Sequence, residues 1–264
     1  MKREEIRELR QRFRLTQGEF AAAVGGVHYT TVSRWERGTT TPTPRDIARL
    51  IALASRGIDQ EGQNIGEGRT ARVSRDTAET QISLTLVLDG TGRFDGNSGN
   101  GMLNHLLEQI ARHGLFDLSI TATADLSPGW HHLVEDVAVV FGRALRQAIG
   151  DGKGIVRMGH SYAPLDETLA FVAVDLSGRP YAMVRTGLAE GMVGDVPADL
   201  IRHFLETVAL ESRSALHAKV VEGMNPHHKA EALFKALARA LRQAVAIDTR
   251  AGERVPSTKD TINN

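Results

Sequence analysis

The stretch His131-His132-Leu133-Val134-Glu135 occurs a second time in this chain as His227-His228-Lys229-Ala230-Glu231. The sequence Ala-Leu-Arg-Gln-Ala follows each copy at the same offset, at residues 144–148 and 240–244. In a helix, each His of the pair lies three or four positions from the Glu, so the three side chains share one face. Such a group can hold a metal ion; the alternative is a polar helix start with an acid near the helix N-terminus. Because the group is duplicated, we favour the metal site.

A wider duplication surrounds the two motifs. An alternating strand pattern begins at Glu79-Thr80 and again at Glu167-Thr168, and each ends at an Asp that a Gly-Arg pair follows. An isolated His comes next in each half, His105 and His203, with Leu and Glu at matching steps. Strands mixed with helices predict an α+β fold, in which a duplicated half-domain has antiparallel sheets and helices on one face. The two halves span about residues 69–160 and 161–264.

Composition excludes several classes of protein. The 264 residues include 32 basic and 32 acidic residues and are 41% hydrophobic, which is typical of a folded globular protein. The chain has no Cys, so disulfides and thiolate metal ligands are excluded. No apolar run approaches the ~20 residues of a membrane span, and the charged N-terminus lacks a signal-peptide core. We therefore expect a cytoplasmic protein without a membrane partner.

Residues 1–57 form a separate basic segment. They contain eleven Lys or Arg and six Asp or Glu, a net charge of +5, so the remaining residues carry −5. A basic segment joined to an acidic one is a reason to expect nucleic-acid contacts in the first. The glycine-rich residues 58–68 predict a flexible linker to the larger domain, residues 69–264.

The pattern of the basic segment predicts short helices joined by turns. Thr16 and Glu19 have the spacing of a capping box at a helix start, and Gly38 is placed to end a later helix. Two short helices with a glycine-bearing turn between them are typical of a helix-turn-helix domain. The first predicted helix contains Ile6, Leu9 and Phe13, and the others span Gln17–Ala23, Tyr29–Arg37 and Asp46–Ser55.

This segment also resembles a known family. Leu15-Thr16-Gln17, Phe20-Ala21 and residues 31–38 (Thr-Val-Ser-Arg-Trp-Glu-Arg-Gly) are similar to the phage-repressor (Cro/C1-like) DNA-binding domains. The resemblance implies that the helix from Tyr29 enters the major groove of DNA. The alternative, a helix-turn-helix used for protein contacts alone, is disfavoured by the positive charge. The implied DNA-contacting residues are Gln17, Tyr29, Thr30, Ser33 and Arg34.

The larger domain carries motifs that resemble a second family. Residues 88–92 (Leu-Asp-Gly-Thr-Gly), 113–118 (His-Gly-Leu-Phe-Asp-Leu) and 175–180 (Asp-Leu-Ser-Gly-Arg-Pro) resemble imidazoleglycerol-phosphate dehydratase, as do both His-His-x-x-Glu motifs. That family belongs to histidine biosynthesis. The resemblance implies a homo-oligomer of 24 subunits built from trimers, with two Mn²⁺ ions per active site at subunit interfaces. Taken alone, nitrogen and oxygen ligands suit Mn²⁺, Fe²⁺, Zn²⁺ or Co²⁺, and the carboxylates favour six-coordinate Mn²⁺.

The same resemblance implies a substrate, a reaction and a role for each matching residue. The substrate is a phosphorylated imidazole, imidazole-glycerol phosphate, and the reaction is a metal-dependent dehydration to imidazole-acetol phosphate by a hydro-lyase. The implied catalytic carboxylates are Glu79, Glu135 and Glu231. The implied metal ligands are His105, His131, His132, Glu135, His203, His227, His228 and Glu231. The implied phosphate ligands are Arg157, Arg179, Lys235, Ser257 and Lys259, residue types that bind phosphate oxygens.

Five positions depart from the usual pattern of this family. Asn104 stands where Asp is usual, which predicts the loss of an acceptor that fixes the adjacent His105 ring. Asp260 stands where Gly is usual and brings negative charge toward the phosphate. The other departures, around the first His pair, are Gly129, Trp130 and Leu133. They and the fused domain support a second hypothesis, a transcription regulator that uses the dehydratase fold to sense a metal or metabolite and to oligomerise.

Overall fold

A computed structural model describes residues 3–12, 16–24, 27–43, 45–47, 49–50, 69–127 and 129–262. The chain divides into two compact units, Met1–Gly66 and Glu67–Asn264. The predicted linker, residues 58–68, lies outside the described residues. Among the helices that are described, none has both the length and the hydropathy needed to cross a membrane.

The first unit is built from short helices. They include α1 (Arg3–Arg12), α2 (Gln17–Val24) and α3 (Tyr29–Arg37). Their apolar faces meet in one core that includes Phe20, Val32 and Trp35. Gly38 follows α3 with a φ of 72°, the left-handed conformation predicted for it. Residues 45–47 and 49–50 are helical, while Phe13, the Glu19 side chain and residues 51–55 lie outside the described residues.

The second unit repeats one order of elements. The first half contains β1 (Thr70–Asp76), β2 (Thr80–Val87), β3 (Phe94–Asn97), α4 (Gly101–Gly114), β4 (Asp117–Ala124) and α5 (His131–Ile149). The second half contains β5 (Met158–Leu165), β6 (Thr168–Asp175), β7 (Tyr181–Arg185), β8 (Met192–Val193), β9 (Val196–Pro197), α6 (Ala198–Glu211), β10 (Ala215–Glu222) and α7 (Pro226–Val245). In the order of elements, β5 is the counterpart of β1 and begins the second repeat at Met158.

Each half forms a four-stranded sheet with the same topology. The strand orders are β1-β2-β4-β3 and β5-β6-β10-β7, and β8 pairs with β9 in a small separate ribbon. The α+β prediction is confirmed, but the sheets are mixed, because β3 pairs with β4 and β7 with β10 in parallel. Antiparallel pairing was wrong for these two pairs. In each, a helix connects the strands and returns the chain to the same end of the sheet.

The helices cover one face of each sheet, and helices of one half pack against helices of the other. Alternation places Ile82, Leu84 and Leu86 of β2 in the core and the side chains between them toward solvent. Helix α5 packs on β1 and β2, and α7 packs on β5 and β6. In addition, α4 packs against α7 and α6 against α5, so the two halves share one hydrophobic core. Helices from different repeats therefore lie side by side.

Candidate active site and DNA-binding surface

The contact of α4 with α7 brings His105, His227 and Glu231 together. One ligand atom from each residue lies within 4.8 Å of the others. The Nε2 atoms of His105 and His227 lie 3.0 and 3.1 Å from Oε2 of Glu231. His227 and Glu231 share a face because they are one helical turn apart, and His105 comes from the other repeat. Three predicted metal ligands thus converge.

The contact of α5 with α6 produces the matching cluster of His131, Glu135 and His203. The His131 and His203 rings are stacked with centroids 5.0 Å apart. Nε2 of His203 lies 3.4 Å from Oε1 of Glu135, yet this buried nitrogen has no hydrogen-bond partner in the described structure. A buried nitrogen without a partner calls for an explanation, and a bound ion is one; the two imidazoles and the carboxylate are a donor set that fits a divalent cation.

Glu231 is held as an ionised carboxylate. Burial alone would raise its pKa, but hydrogen bonds from Lys235 and His105 overcome that effect and lower the pKa to about 2. Nζ of Lys235 lies 2.7 Å from Oε1 of Glu231. The deprotonated form is the one that ligates metal.

The second His of each pair contacts a different carboxylate. Nδ1 of His132 lies 2.7 Å from Oε2 of Glu79, and Nδ1 of His228 lies 2.7 Å from Oε2 of Glu167. Neither His132 nor His228 belongs to the two clusters within one chain. Both rings are nevertheless fixed beside those clusters by the helices that they share with His131 and His227.

Sequence reasoning missed a role for Glu167. Its repeat partner Glu79 was assigned to the site from family resemblance, while Glu167 was noted only as the start of a strand. The signal was present, since Glu-Thr precedes the matching strand in both halves. Hydrogen bonds, first from the backbone N–H of Asn225 and then from His228 and the backbone of Met224, hold the pKa of Glu167 far below its usual range.

Four of the five predicted phosphate ligands line one surface pocket. Its volume is about 580 Å³, and its walls are Arg157, Arg179, Pro256, Ser257, Thr258 and Lys259. The fifth, Lys235, is not among the lining residues and pairs with Glu231 instead. Three cationic side chains line this pocket, which makes it a suitable site for an anion such as phosphate.

Arg157 is held rigidly at this pocket. Its Nε and Nη2 donate to the Asp175 carboxylate over 2.7 and 3.0 Å, and its Nη1 donates to the Pro256 carbonyl over 2.7 Å. The backbone of Arg157 has a φ of 74°, a left-handed conformation that is uncommon for a residue with a side chain. Strain of this kind occurs at functional sites where the surroundings enforce it; here those contacts fix the guanidinium beside residues 256–259.

The predicted DNA-contacting residues lie on α3 and at the start of α2. Tyr29 and Arg34 are exposed, and Thr30 and Ser33 are partly exposed, whereas Val32 and Trp35 of the same helix are buried. The side chain of His28 caps α3 by accepting from the backbone N–H of Thr30. The helix therefore presents the predicted residues on a solvent-facing side.

Gln17 has a structural contact in addition to its predicted one. Its Nε2 donates to Oε2 of Glu36 over 2.8 Å, and Nε of Arg10 lies 2.6 Å from Oε1 of the same carboxylate. Burial alone would raise the pKa of Glu36, but the hydrogen bonds from Arg10 and Gln17 lower it. The network joins α1, α2 and α3.

Comparison with known proteins identifies both units. A family model described as imidazoleglycerol-phosphate dehydratase matches residues 98–241. Proteins of that name from Dehalococcoides mccartyi (strain CBDB1) and Roseiflexus sp. (strain RS-1) are 53% and 50% identical over 74% of this chain and 98% of their own. The chain belongs to the imidazoleglycerol-phosphate dehydratase family. A helix-turn-helix model matches residues 6–53, which confirms the predicted fusion.

Solved structures of this dehydratase family share the fold. The enzyme from Staphylococcus aureus aligns with a TM-score of 0.62 and 36% identity, over 68% of this chain and 99% of its own. The enzyme from Pyrococcus furiosus aligns with a TM-score of 0.61 and 34% identity, over 71% of this chain and 99% of its own. The predicted hydro-lyase family is therefore confirmed.

The structure shows the surroundings of the residues that depart from the dehydratase pattern. The side-chain oxygen of Asn104 accepts from the backbone N–H of Ser98 over 2.8 Å, a bond that Asp would make equally well. Among the hydrogen bonds of the described residues, none joins Asn104 to His105, so the expected loss of an acceptor for His105 stays a prediction. Leu133 is buried in the core, Gly129 has a φ of 89° that suits glycine, and Asp260 has a φ of 54°. Trp130, at the start of α5, is partly buried and packs against the hydrophobic core.

Proposed function

We propose that this chain removes water from imidazole-glycerol phosphate to give imidazole-acetol phosphate, as a step of histidine biosynthesis. The observation that carries the proposal is the pair of His-His-Glu clusters, each assembled from helices of both repeats, in a member of the dehydratase family. The anion pocket at Arg157 supports a phosphorylated substrate.

The proposal includes two Mn²⁺ ions per active site. One would be held by His105, His227 and Glu231 and the other by His131, Glu135 and His203, with other divalent transition metals as possible substitutes. His132 and His228 would complete these sites by contributing to a neighbouring subunit in a homo-oligomer, which we propose to be a 24-mer. When bound, such a cation acts as a Lewis acid and a template for substrate.

Other residues of the chain would bind the substrate phosphate and accept the substrate proton. Arg157, Arg179 and Lys259 would bind the substrate phosphate through charge-assisted hydrogen bonds, and Ser257 would add a neutral one. The reaction breaks the C2–H bond and the bond from C3 to its hydroxyl, forms a C2=C3 double bond and releases the hydroxyl as water. The resulting enol tautomerises to imidazole-acetol phosphate. A base must therefore take the C2 proton. We assign that proton to Glu79, whose half-exposed carboxylate lies at the pair His131-His132.

The metal sites can be tested separately from turnover. Replacing His131 or His203 with Ala should lower the Mn²⁺ retained per chain after equilibrium dialysis, because each replacement removes one of three converging ligands. His217, an exposed histidine on β10 outside both clusters, provides the matched control. Equal Mn²⁺ retention by His203→Ala, His217→Ala and the unmodified chain would contradict the ligand assignment.

We also propose that the first unit binds DNA. The helix-turn-helix match, its net charge of +5 from eleven basic and six acidic residues in 1–57, and the exposed face of α3 support this. Arg34 and Tyr29 would read the major groove, as recognition helices do.

A further inference from the structure

Each repeat places one carboxylate at Nδ1 of the second His in its pair. Glu79 takes that position at His132, and Glu167 takes it at His228, both at 2.7 Å. The two arrangements use the same residue types at corresponding positions of the repeat. Their surroundings differ.

Glu167 is held by donors on one of its two oxygens. Oε1 accepts from the Thr168 hydroxyl over 3.0 Å and from the backbone N–H groups of Met224 and Asn225 over 3.1 and 2.8 Å. The other oxygen, Oε2, is left to accept from Nδ1 of His228. Because three donors converge on Oε1, the carboxylate cannot rotate without breaking them.

The Glu79 carboxylate lacks this restraint because Thr80, the neighbouring threonine of the first repeat, has a different hydrogen-bond partner. The hydroxyl of Thr80, the counterpart of Thr168, donates to the buried carboxylate of Asp136. In the second repeat the position of Asp136 is occupied by Ala232, which has no acceptor, so the hydroxyl of Thr168 turns to Glu167 instead. Among the hydrogen bonds of the described residues, none restrains the Glu79 carboxylate, and its contact with His132 lacks hydrogen-bond alignment.

We propose that Glu167 is a positioning residue that holds the His228 ring with its proton on Nδ1 and its Nε2 lone pair free to ligate a cation. An ionised carboxylate only accepts hydrogen bonds, so Nδ1 must donate and the neutral ring carries no proton on Nε2. The nearest acid on that side, Asp166, has its Oδ2 3.8 Å from Nε2, beyond hydrogen-bonding distance. The inference rests on the proposed metal dependence and adds the residue that selects the tautomer of one ligand.

Exchange of Glu167 for Gln makes a sharp prediction. The three donors at Oε1 require the amide oxygen there, which places the amide N–H₂ against Nδ1 of His228. Nδ1 must then accept a hydrogen bond, so the ring proton moves to Nε2. The nearby Asp166 carboxylate favours a proton on Nε2 through its negative charge. A ring protonated on Nε2 cannot bind the cation through Nε2. Glu167→Ala removes the restraint without imposing the wrong tautomer, so Gln should impair metal binding more than Ala.

The test is Mn²⁺ retention by the full chain in equilibrium dialysis at fixed free Mn²⁺, with thermal unfolding of each variant measured alongside. We expect Glu167→Gln to weaken Mn²⁺ binding by about 10–100-fold and Glu167→Ala to weaken it less, although Ala loses more hydrogen bonds. A purely structural role predicts the reverse order. In the control pair, Glu79→Gln should bind Mn²⁺ at least as well as Glu79→Ala, because an unrestrained amide can offer its oxygen to His132.

The outcomes separate this inference from the proposed function. If the unmodified chain retains Mn²⁺ and Glu167→Ala binds as poorly as Glu167→Gln or worse, the positioning role is overturned while the proposed function stands. If the unmodified chain retains no Mn²⁺, the metal dependence and this inference fail together. The assignment is supported if Glu167→Gln binds Mn²⁺ more weakly than Glu167→Ala while Glu79→Gln does not bind it more weakly than Glu79→Ala.

Discussion

Asp260 follows the anion pocket in a left-handed conformation, with a φ of 54°, at a position where the family resemblance leads us to expect Gly. Asp tolerates this conformation better than most residues, so the backbone strain is modest. Its negative charge is adjacent to Lys259, one of the pocket residues. The departure therefore affects electrostatics at the pocket more than folding.

Removing this charge should strengthen substrate binding. An exposed charge interaction contributes about 0.2–1 kcal/mol, so Asp260→Asn should lower the KM for imidazole-glycerol phosphate by up to about five-fold. Steady-state kinetics measure this effect. Asp260→Gly, which also relieves the strain, should give the same KM and change stability by less than about 1 kcal/mol. An unchanged or higher KM in both variants would contradict the electrostatic account.

Sequence patterns predicted the candidate ligands but not all of the contacts that these residues make. His105, His203 and the two His pairs were identified because each has a counterpart in the other repeat. Lys235 was grouped with the phosphate ligands, whereas within one chain it pairs with Glu231. A residue's partner depends on which helices pack together, and residue spacing along the chain does not contain that information.

Helix α3 is the element through which the first unit would contact DNA. Arg34→Ala should weaken binding to a specific operator by about 1–3 kcal/mol if the guanidinium contacts a base, with little change in the salt dependence of binding. Titrations at several salt concentrations, followed by fluorescence anisotropy, measure both quantities. Arg112→Ala, an exposed arginine of α4 that pairs with Glu108, is the charge-matched control. Equal weakening by both variants would reject a specific role for Arg34.

The Glu36 network predicts how the first unit responds to acid. The pKa of the Glu36 carboxyl is lowered in the folded state. Glu36 therefore stabilises the fold at pH values above its ordinary pKa of about 4.3. That contribution is lost as the pH falls through the lower, folded-state value. Glu36→Gln should therefore be less stable than the parent at pH 6, with the difference shrinking below about pH 4.

Trp fluorescence can follow this transition. The chain has two Trp residues, so a Trp130→Phe background leaves buried Trp35 as the reporter of the first unit. Urea unfolding at several pH values then gives the stability of each variant. A stability difference that stays constant from pH 6 to pH 2.5 would contradict the linkage to Glu36.

The bounds of some elements could be predicted, whereas the pairing of two strands could not. Caps and glycines define helices such as α3, and alternation defines β2 and β6. The strands that pair in parallel, β3 and β7, are only four and five residues long. Segments so short carry too few residues to show which neighbour they join or in which direction.

At the scale of the whole molecule, the site results from the duplication together with the packing of helices from one repeat against helices from the other. Each cluster takes an isolated His from one repeat and a His and Glu from the other. A single repeat therefore cannot assemble either cluster. Sequence comparison between the halves revealed the duplication. Which helices of the two repeats lie side by side depends on how their apolar faces pack in the shared core. That is a property of the folded chain.

Turnover tests the central claim most directly. Imidazole-glycerol phosphate should be converted to imidazole-acetol phosphate by the full chain and by a chain beginning at Glu67, the start of the second unit. Both activities should need added Mn²⁺ after treatment with a chelator. Product can be measured chromatographically over time. Conversion by both chains is the predicted result; no product from either, although both retain Mn²⁺, would contradict the proposed dehydratase function.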